Sequence, residues 1–263
     1  MTATSIDIDT VSRITDTDEA ERLGNAAYRA LLDDLRTLEP DDWRTATVCA
    51  PWTISDIVRH LLGAAKANAS IGEFLRQQIH GARHKSEFDG SALDATNALQ
   101  VADHVSLDRA ELLAELERIY GKSVRTRMSR SRLLRRLDVP VDDGGSSAAG
   151  MPNRLNLGEL LRVVYTRDVW LHRVDIARAL DREPPMEAAV DGRLVADVVR
   201  EWADRHGQPF DLHLTGTAGG HYRRGVDGQI VTLDAVEFCW ILSGRGEPPD
   251  ESRTALLSHR VLF

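Results

Sequence analysis

Along the first two thirds of the chain, apolar residues recur in steps of three or four, the spacing of amphipathic helices. Between Asp16 and Leu38 they fall at Ala20, Leu23, Ala27, Leu31, Leu35 and Leu38. Asp16 with Glu19 has capping-box spacing at the start, and Pro40 ends the run. A second stripe, Ile54, Ile57, Val58, Leu61, Leu62 and Ala65, follows Pro51-Trp52 and is opened by Thr53 with Asp56. A third helix is expected from Ser106 to Tyr120, capped by Ser106 and carrying Leu112, Leu113, Leu116 and Ile119. The fourth runs from Leu155 to Leu180 and stops before Pro184-Pro185. Four such segments predict an antiparallel bundle. The stretch from Gly81 to Asn97 is polar and without a clear period, and Asp142 to Pro152 reads as a Gly/Ser-rich loop.

The remainder changes character. Asp191 to Arg205 is again amphipathic, through Leu194, Val195, Val198, Val199 and Trp202. Phe210 to Leu214 then alternates at period two, as a strand does. Gly220 to Arg224 and Ile230 to Leu233 flank an Asp227-Gly228 turn, which predicts a hairpin. Asp234 with Glu237 opens a short helix closed by Gly244. The fold class expected is α+β, with a helical bundle over residues 1–183 and a small α+β domain over residues 184–263. No internal repeat is visible.

Composition narrows the setting. The chain has 263 residues, 42% of them hydrophobic, enough to bury a core. No apolar run reaches the roughly 18 residues of a spanning helix. The opening MTATSIDIDTVSRITDTDEAE is polar and acidic, unlike a secretory signal. Two distant cysteines, Cys49 and Cys239, make no disulfide framework. A reduced, soluble, cytoplasmic protein is expected. The net charge of −8 argues against broad nucleic-acid binding. Lysine occurs only at 66, 85 and 122, a strong arginine bias that fits a GC-rich genome. The cluster Arg125, Arg127, Arg130, Arg132, Arg135 and Arg136 lacks interleaved aromatics and reads as a solvated face. Gly216 to Gly220 lacks the GK[ST] of a phosphate loop, and no serine sits in a GxSxG elbow.

The fourth helix carries the candidate chemistry. Its apolar face runs Leu157, Leu161, Val164 and then continues as Asp168, His172 and Asp175, in steps of four and three. A carboxylate on an inward face costs several kcal/mol unless it is paired, hydrogen-bonded or bound to metal. Asp168 and His172, at i and i+4, have the spacing of two ligands to one ion. Such a pair is more often a local hydrogen-bonded pair or a solvated edge than a metal site, and a third ligand is required. His60 flanks the apolar stripe of the second helix, where a lone histidine is also found simply packed or half-exposed. The other histidines show no ligand spacing, and His80 with His84 reads as a solvated face. Cys49 reads as a small buried packing residue, and Trp43, Trp52 and Trp170 as core or pocket wall.

Trp43, Thr47-Val48-Cys49, Trp52-Thr53 and Asp56-Ile57-Val58-Arg59-His60-Leu61, followed later by Arg167 to Ala177, resemble the mycothiol-dependent maleylpyruvate isomerase family. That family belongs to the wider DinB-like metalloenzyme group. The similarity extends through Asp227-Gly228, Thr232-Leu233-Asp234 and Ser243-Gly244-Arg245 to the apolar Val261-Leu262-Phe263. The resemblance implies a DinB-like four-helix bundle holding one divalent metal, usually zinc, on His60, Asp168 and His172. The family's isomerase carries glutamate where this chain has Asp168. The basic residue of the second domain falls on Arg245, which would bind a substrate carboxylate or enolate oxygen. The cofactors implied are the metal and mycothiol, the small thiol of actinobacteria. A metal-held thiolate would add to an electron-poor double bond, let it rotate, and leave; retention of the adduct would make a mycothiol S-transferase instead. Asp175, one turn past His172, is either a partner that fixes the imidazole or a helix-end charge. The partners expected are a small electrophile and a low-molecular-weight thiol, with neither nucleic acid nor membrane. A non-catalytic binding protein on the same scaffold is the alternative.

Overall fold

The periodic segments are helices in the computed structural model, which describes residues 5–140, 154–248 and 256–263. The Gly/Ser-rich stretch over 142–152 lies outside the described residues. β1 (Ile6–Asp7) comes first, followed by α1 (Thr17–Arg36), α2 (Ile54–Ala69), α3 (Ile71–His84), α4 (Ala92–Ala102) and α5 (Arg109–Leu134). A short ribbon of β2 (Asp138–Pro140) and β3 (Arg154–Asn156) leads to α6 (Leu157–Glu159), a π-helical turn over Leu160–Val164, and α7 (Tyr165–Ala179). The chain continues through α8 (Asp191–His206), β4 (Phe210–Thr215), β5 (Gly220–Arg224), β6 (Gln229–Asp234) and α9 (Ala235–Leu242). The fold class is α+β. None of the described helices is long and apolar enough to cross a membrane.

These residues divide into two compact units. In the helical unit, residues 17–140 and 154–184 of those described, contacts pass from α1 to α5, from α5 to α2, from α2 to α7 and back to α1, which closes a four-helix ring. The expected stripes are what it buries: Leu31, Leu35, Ile54, Ile57, Val58, Leu61 and Leu62 are all at most 2% exposed. Burying one such side chain stabilises by about 1.5–3 kcal/mol. α3 and α4 form a helical hairpin against α2, where the sequence shows little apolar pattern because the positions they bury, Gln77, Gly81, Ala95, Thr96 and Gln100, are polar or small. A buried amide pair joins them, Gln100 Nε2 donating to Gln77 Oε1 (2.7 Å) while Gln77 Nε2 donates to the Gly63 carbonyl (3.1 Å).

Two expectations about α5 are corrected. Its cap is Asp108, in a reciprocal box with Glu111, rather than Ser106, and the helix runs to Leu134 rather than Tyr120. Arginines interrupt the apolar stripe of its second half, so the period is lost in sequence. Nor is the arginine cluster wholly a solvated face: Arg127 is 1% exposed. It donates to the Leu161 carbonyl (3.2 Å) and to Thr166 Oγ1 (2.8 Å), serving the widened π turn, where the helical hydrogen-bond register is broken.

Among the described residues, the other unit comprises 185–248 and 256–263 together with 5–16. Ile6–Asp7 pairs in parallel with β5, and Asp197 on α8 accepts from the Ile14 amide (2.7 Å) and Arg13 Nε (3.1 Å). The reading of 1–183 as one domain therefore differs at its start, because no helical period marks a two-residue edge strand. The sheet order is β1-β5-β4-β6. The expected hairpin of β5 with β6 does not form: β4 lies between them, antiparallel to β5 and parallel to β6. The chain crosses beneath the start of β4 instead, using Gly225 at φ +70° and Gly228, where a Cβ would run into the Phe210 backbone. An Asp-Gly turn signal reports a bend, not which strands it joins. Phe210, Leu212, Leu214, Tyr222 and Val231 face the core, where Trp202 packs edge-on against Phe210 and Phe238.

Candidate metal centre

Two local devices present the candidate residues. A turn closed by the Thr47 amide on the Trp52 carbonyl (2.9 Å) carries Cys49 and Trp52 to the start of α2. There Thr53 and Asp56 form the expected capping box, which fixes the first turn and sets the rotation of the helix. His60 lies two turns further on, 6% exposed. Beyond the π turn, α7 points Asp168, His172 and Asp175 along one face, with His172 and Asp175 buried.

These side chains converge within the helical unit. His172 Nε2 lies 3.4 Å from Asp168 Oδ1, and His60 Nε2 lies 3.7 Å from Asp168 Oδ2. One ligand atom from each of His60, Asp168 and His172 falls within 4.8 Å of the others. Donors bound tetrahedrally at about 2.0–2.1 Å stand roughly 3.3 Å apart, so two imidazoles and one carboxylate at these separations fit a divalent transition ion. Trp52 walls the site, its ring 5.1 Å from that of His60 and 6.4 Å from that of His172.

The far side of His172 is held too. Its Nδ1 donates to Asp175 Oδ2 at 2.8 Å, and Cys49 Sγ donates to the same oxygen at 3.3 Å. Of the two readings of Asp175, the geometry matches the hydrogen-bonded partner, since its side chain is fully buried. Cys49 is half-buried and polar in its contacts, which corrects its reading as a buried packing residue. Nothing in the sequence marked this contact, because its partner is 126 residues away. His60 has no equivalent support: its Nδ1 is buried and has no hydrogen-bond partner among the described residues.

Electrostatics follow this crowding. Burial opposes a charge on His172, but Asp168 and the Asp175 hydrogen bond outweigh it and push the imidazole up to about 10. Burial, with the Asp168 charge adding to it, pushes Tyr28 and Tyr165 up to about 12 each, although Arg127 pulls both back. Both phenols therefore stay neutral hydrogen-bonding groups. Arg245 belongs to the other unit, half-buried just past α9, with its amide donating to the Trp240 carbonyl (3.2 Å).

A helical ring with a three-donor centre, accompanied by a small α+β unit, defines a class of two-unit protein. Within that class the chain belongs to the mycothiol maleylpyruvate isomerase family, whose N-terminal domain description matches residues 25–177, a span that includes His60, Asp168 and His172. No curated protein matches the chain by sequence. Among solved structures it is similar to a crystal structure of the mycothiol-dependent maleylpyruvate isomerase, at 15% identity and a TM-score of 0.53, over 92% of each chain. A histidine-to-alanine mutant of that isomerase gives the same values. At that identity the likeness is one of fold.

Proposed function

We propose that this chain is a metal- and mycothiol-dependent enzyme acting on a small electrophile, of the maleylpyruvate cis–trans isomerase type, with S-transfer as the other outcome of the same chemistry. The observation that carries this reading is the convergence of His60, Asp168 and His172 inside the span matched by the family. Those three side chains would hold one divalent ion, zinc being the ion best suited to two imidazoles and a carboxylate. When bound with a coordination position open, such an ion favours thiolate over thiol in an incoming mycothiol.

The chain's own residues do the rest. Asp175 holds the His172 Nδ1 proton, so Nε2, which faces Asp168 and His60, is the nitrogen that would give up its proton and offer a lone pair to the ion. Trp52 shields the imidazole faces from water. Arg245 is assigned, from the family resemblance, to a substrate carboxylate or enolate oxygen through its planar fork.

Elemental analysis of purified wild-type protein beside His60→Ala and His172→Ala tests this reading. Each variant is expected to hold one equivalent of metal fewer than the wild type, and to lose mycothiol-dependent turnover of maleylpyruvate. Equal metal in all three proteins would overturn the ligand assignment. Metal without thiol-dependent turnover would leave a binding protein. Products that keep the thiol would identify the S-transferase.

A further inference from the structure

We propose that the open face of the sheet carries a second site for a divalent transition-metal ion, formed by Asp211, His213 and His221. β4 alternates in burial: Phe210, Leu212 and Leu214 enter the core, which turns Asp211 and His213 to the opposite face. The antiparallel register sets His221 of β5 directly across from His213. The two imidazole rings stack with centroids 3.8 Å apart and an interplanar angle of 24°. Both Nε2 atoms turn to the same carboxylate oxygen, Asp211 Oδ1, at 2.8 Å from His213 and 2.7 Å from His221. One ligand atom from each residue lies within 4.8 Å of the others.

Such an arrangement suits an ion better than it suits protons. Two parallel rings directing N–H groups at one oxygen place like dipoles side by side. An ion at that point takes both nitrogen lone pairs and the carboxylate together. Two imidazoles with one carboxylate select Zn²⁺, Ni²⁺ or Cu²⁺ over Ca²⁺ and Mg²⁺, which prefer oxygen ligands. The side chains of Asp211 and His213 are 37% and 44% exposed, so an ion enters from water and keeps water on its remaining positions. The paired strands fix the donors before the ion arrives. This site shares no residue with the centre in the helical unit, and its occupancy does not depend on that centre.

Titration of full-length His60→Ala/His172→Ala protein with Zn²⁺ by equilibrium dialysis, and with Cu²⁺ by electron paramagnetic resonance, tests the proposal. One equivalent is expected to bind, with two nitrogens in the Cu²⁺ spectrum. Adding His213→Gln and His221→Gln is expected to weaken that binding at least ten-fold. As a check that does not rely on the doubly substituted protein folding, His213→Gln alone should remove one equivalent from the wild type. Circular dichroism of each variant checks that the strand is intact. The proposal is overturned if the His60→Ala/His172→Ala protein binds no ion, or binds it equally well after the sheet histidines are replaced. In either case the assignment of His60 and His172 still stands or falls on its own variants.

Discussion

At the residue scale the helical centre depends on one bond that touches no ion. Asp175 accepts from His172 Nδ1 at 2.8 Å, and so leaves Nε2 as the nitrogen that would bind the proposed ion. Partners of this kind are worth about 10–100-fold in metal affinity. Asp175→Asn replaces a charged acceptor with a neutral one of the same shape. It is expected to weaken zinc binding about ten-fold, measured by competition with a chelator, while far-UV circular dichroism stays unchanged. How much of this was legible varies by residue. Asp168, His172 and Asp175 share one helix, and steps of four and three place them on one face without knowledge of the fold. His60 sits on another helix, so only the family resemblance drew it to the same point. Cys49 and Arg127 were misread for a related reason: each one's role is set by a partner on a distant segment.

At the scale of elements, α2 shows a local signal with a distant effect. The Thr53–Asp56 box fixes the first turn, and His60 lies on the second turn after it. Thr53→Ala is expected to cost about 1 kcal/mol, seen as a fall of about 2–4 °C in melting temperature. Elements with a covered apolar face, such as α1, α2 and α8, could be read almost residue by residue. The back half of α5 could not, because its buried positions include Ser123, Arg127 and Ser131. Strand pairing was the least legible of all. The alternation in β4 reported a strand, but the insertion of β4 between β5 and β6 depends on Gly225 and Gly228 passing beneath Phe210. The same blindness hid the sheet histidines, since His213 and His221 become neighbours only once β4 and β5 are paired in register.

At the scale of the whole molecule, acid should weaken the fold. Burial, His259 and Arg224 push His206 down from 6.5 to about 4, and its Nδ1 accepts from the Gln208 amide (3.0 Å). The folded state thus resists a proton that the unfolded chain accepts. The stability due to the neutral ring is complete above about pH 6.5 and is lost as pH falls toward 4. His206→Phe keeps the packing against Trp202 and Phe210 without a titrating group. It is expected to flatten the drop in urea-unfolding free energy between about pH 7 and 4.5 by about 1 kcal/mol, a figure reduced for partial solvent screening. The pairing of Ile6 with Tyr222 carries a further consequence, in time rather than energy. The helical unit can fold as it leaves the ribosome, but β1 waits for a partner more than two hundred residues behind it. At about 5–20 residues per second that wait is roughly 10–40 s. The earliest of the four strands in this sheet is thus paired only after the other three have begun to emerge, so the sheet is completed from the far end of the sequence.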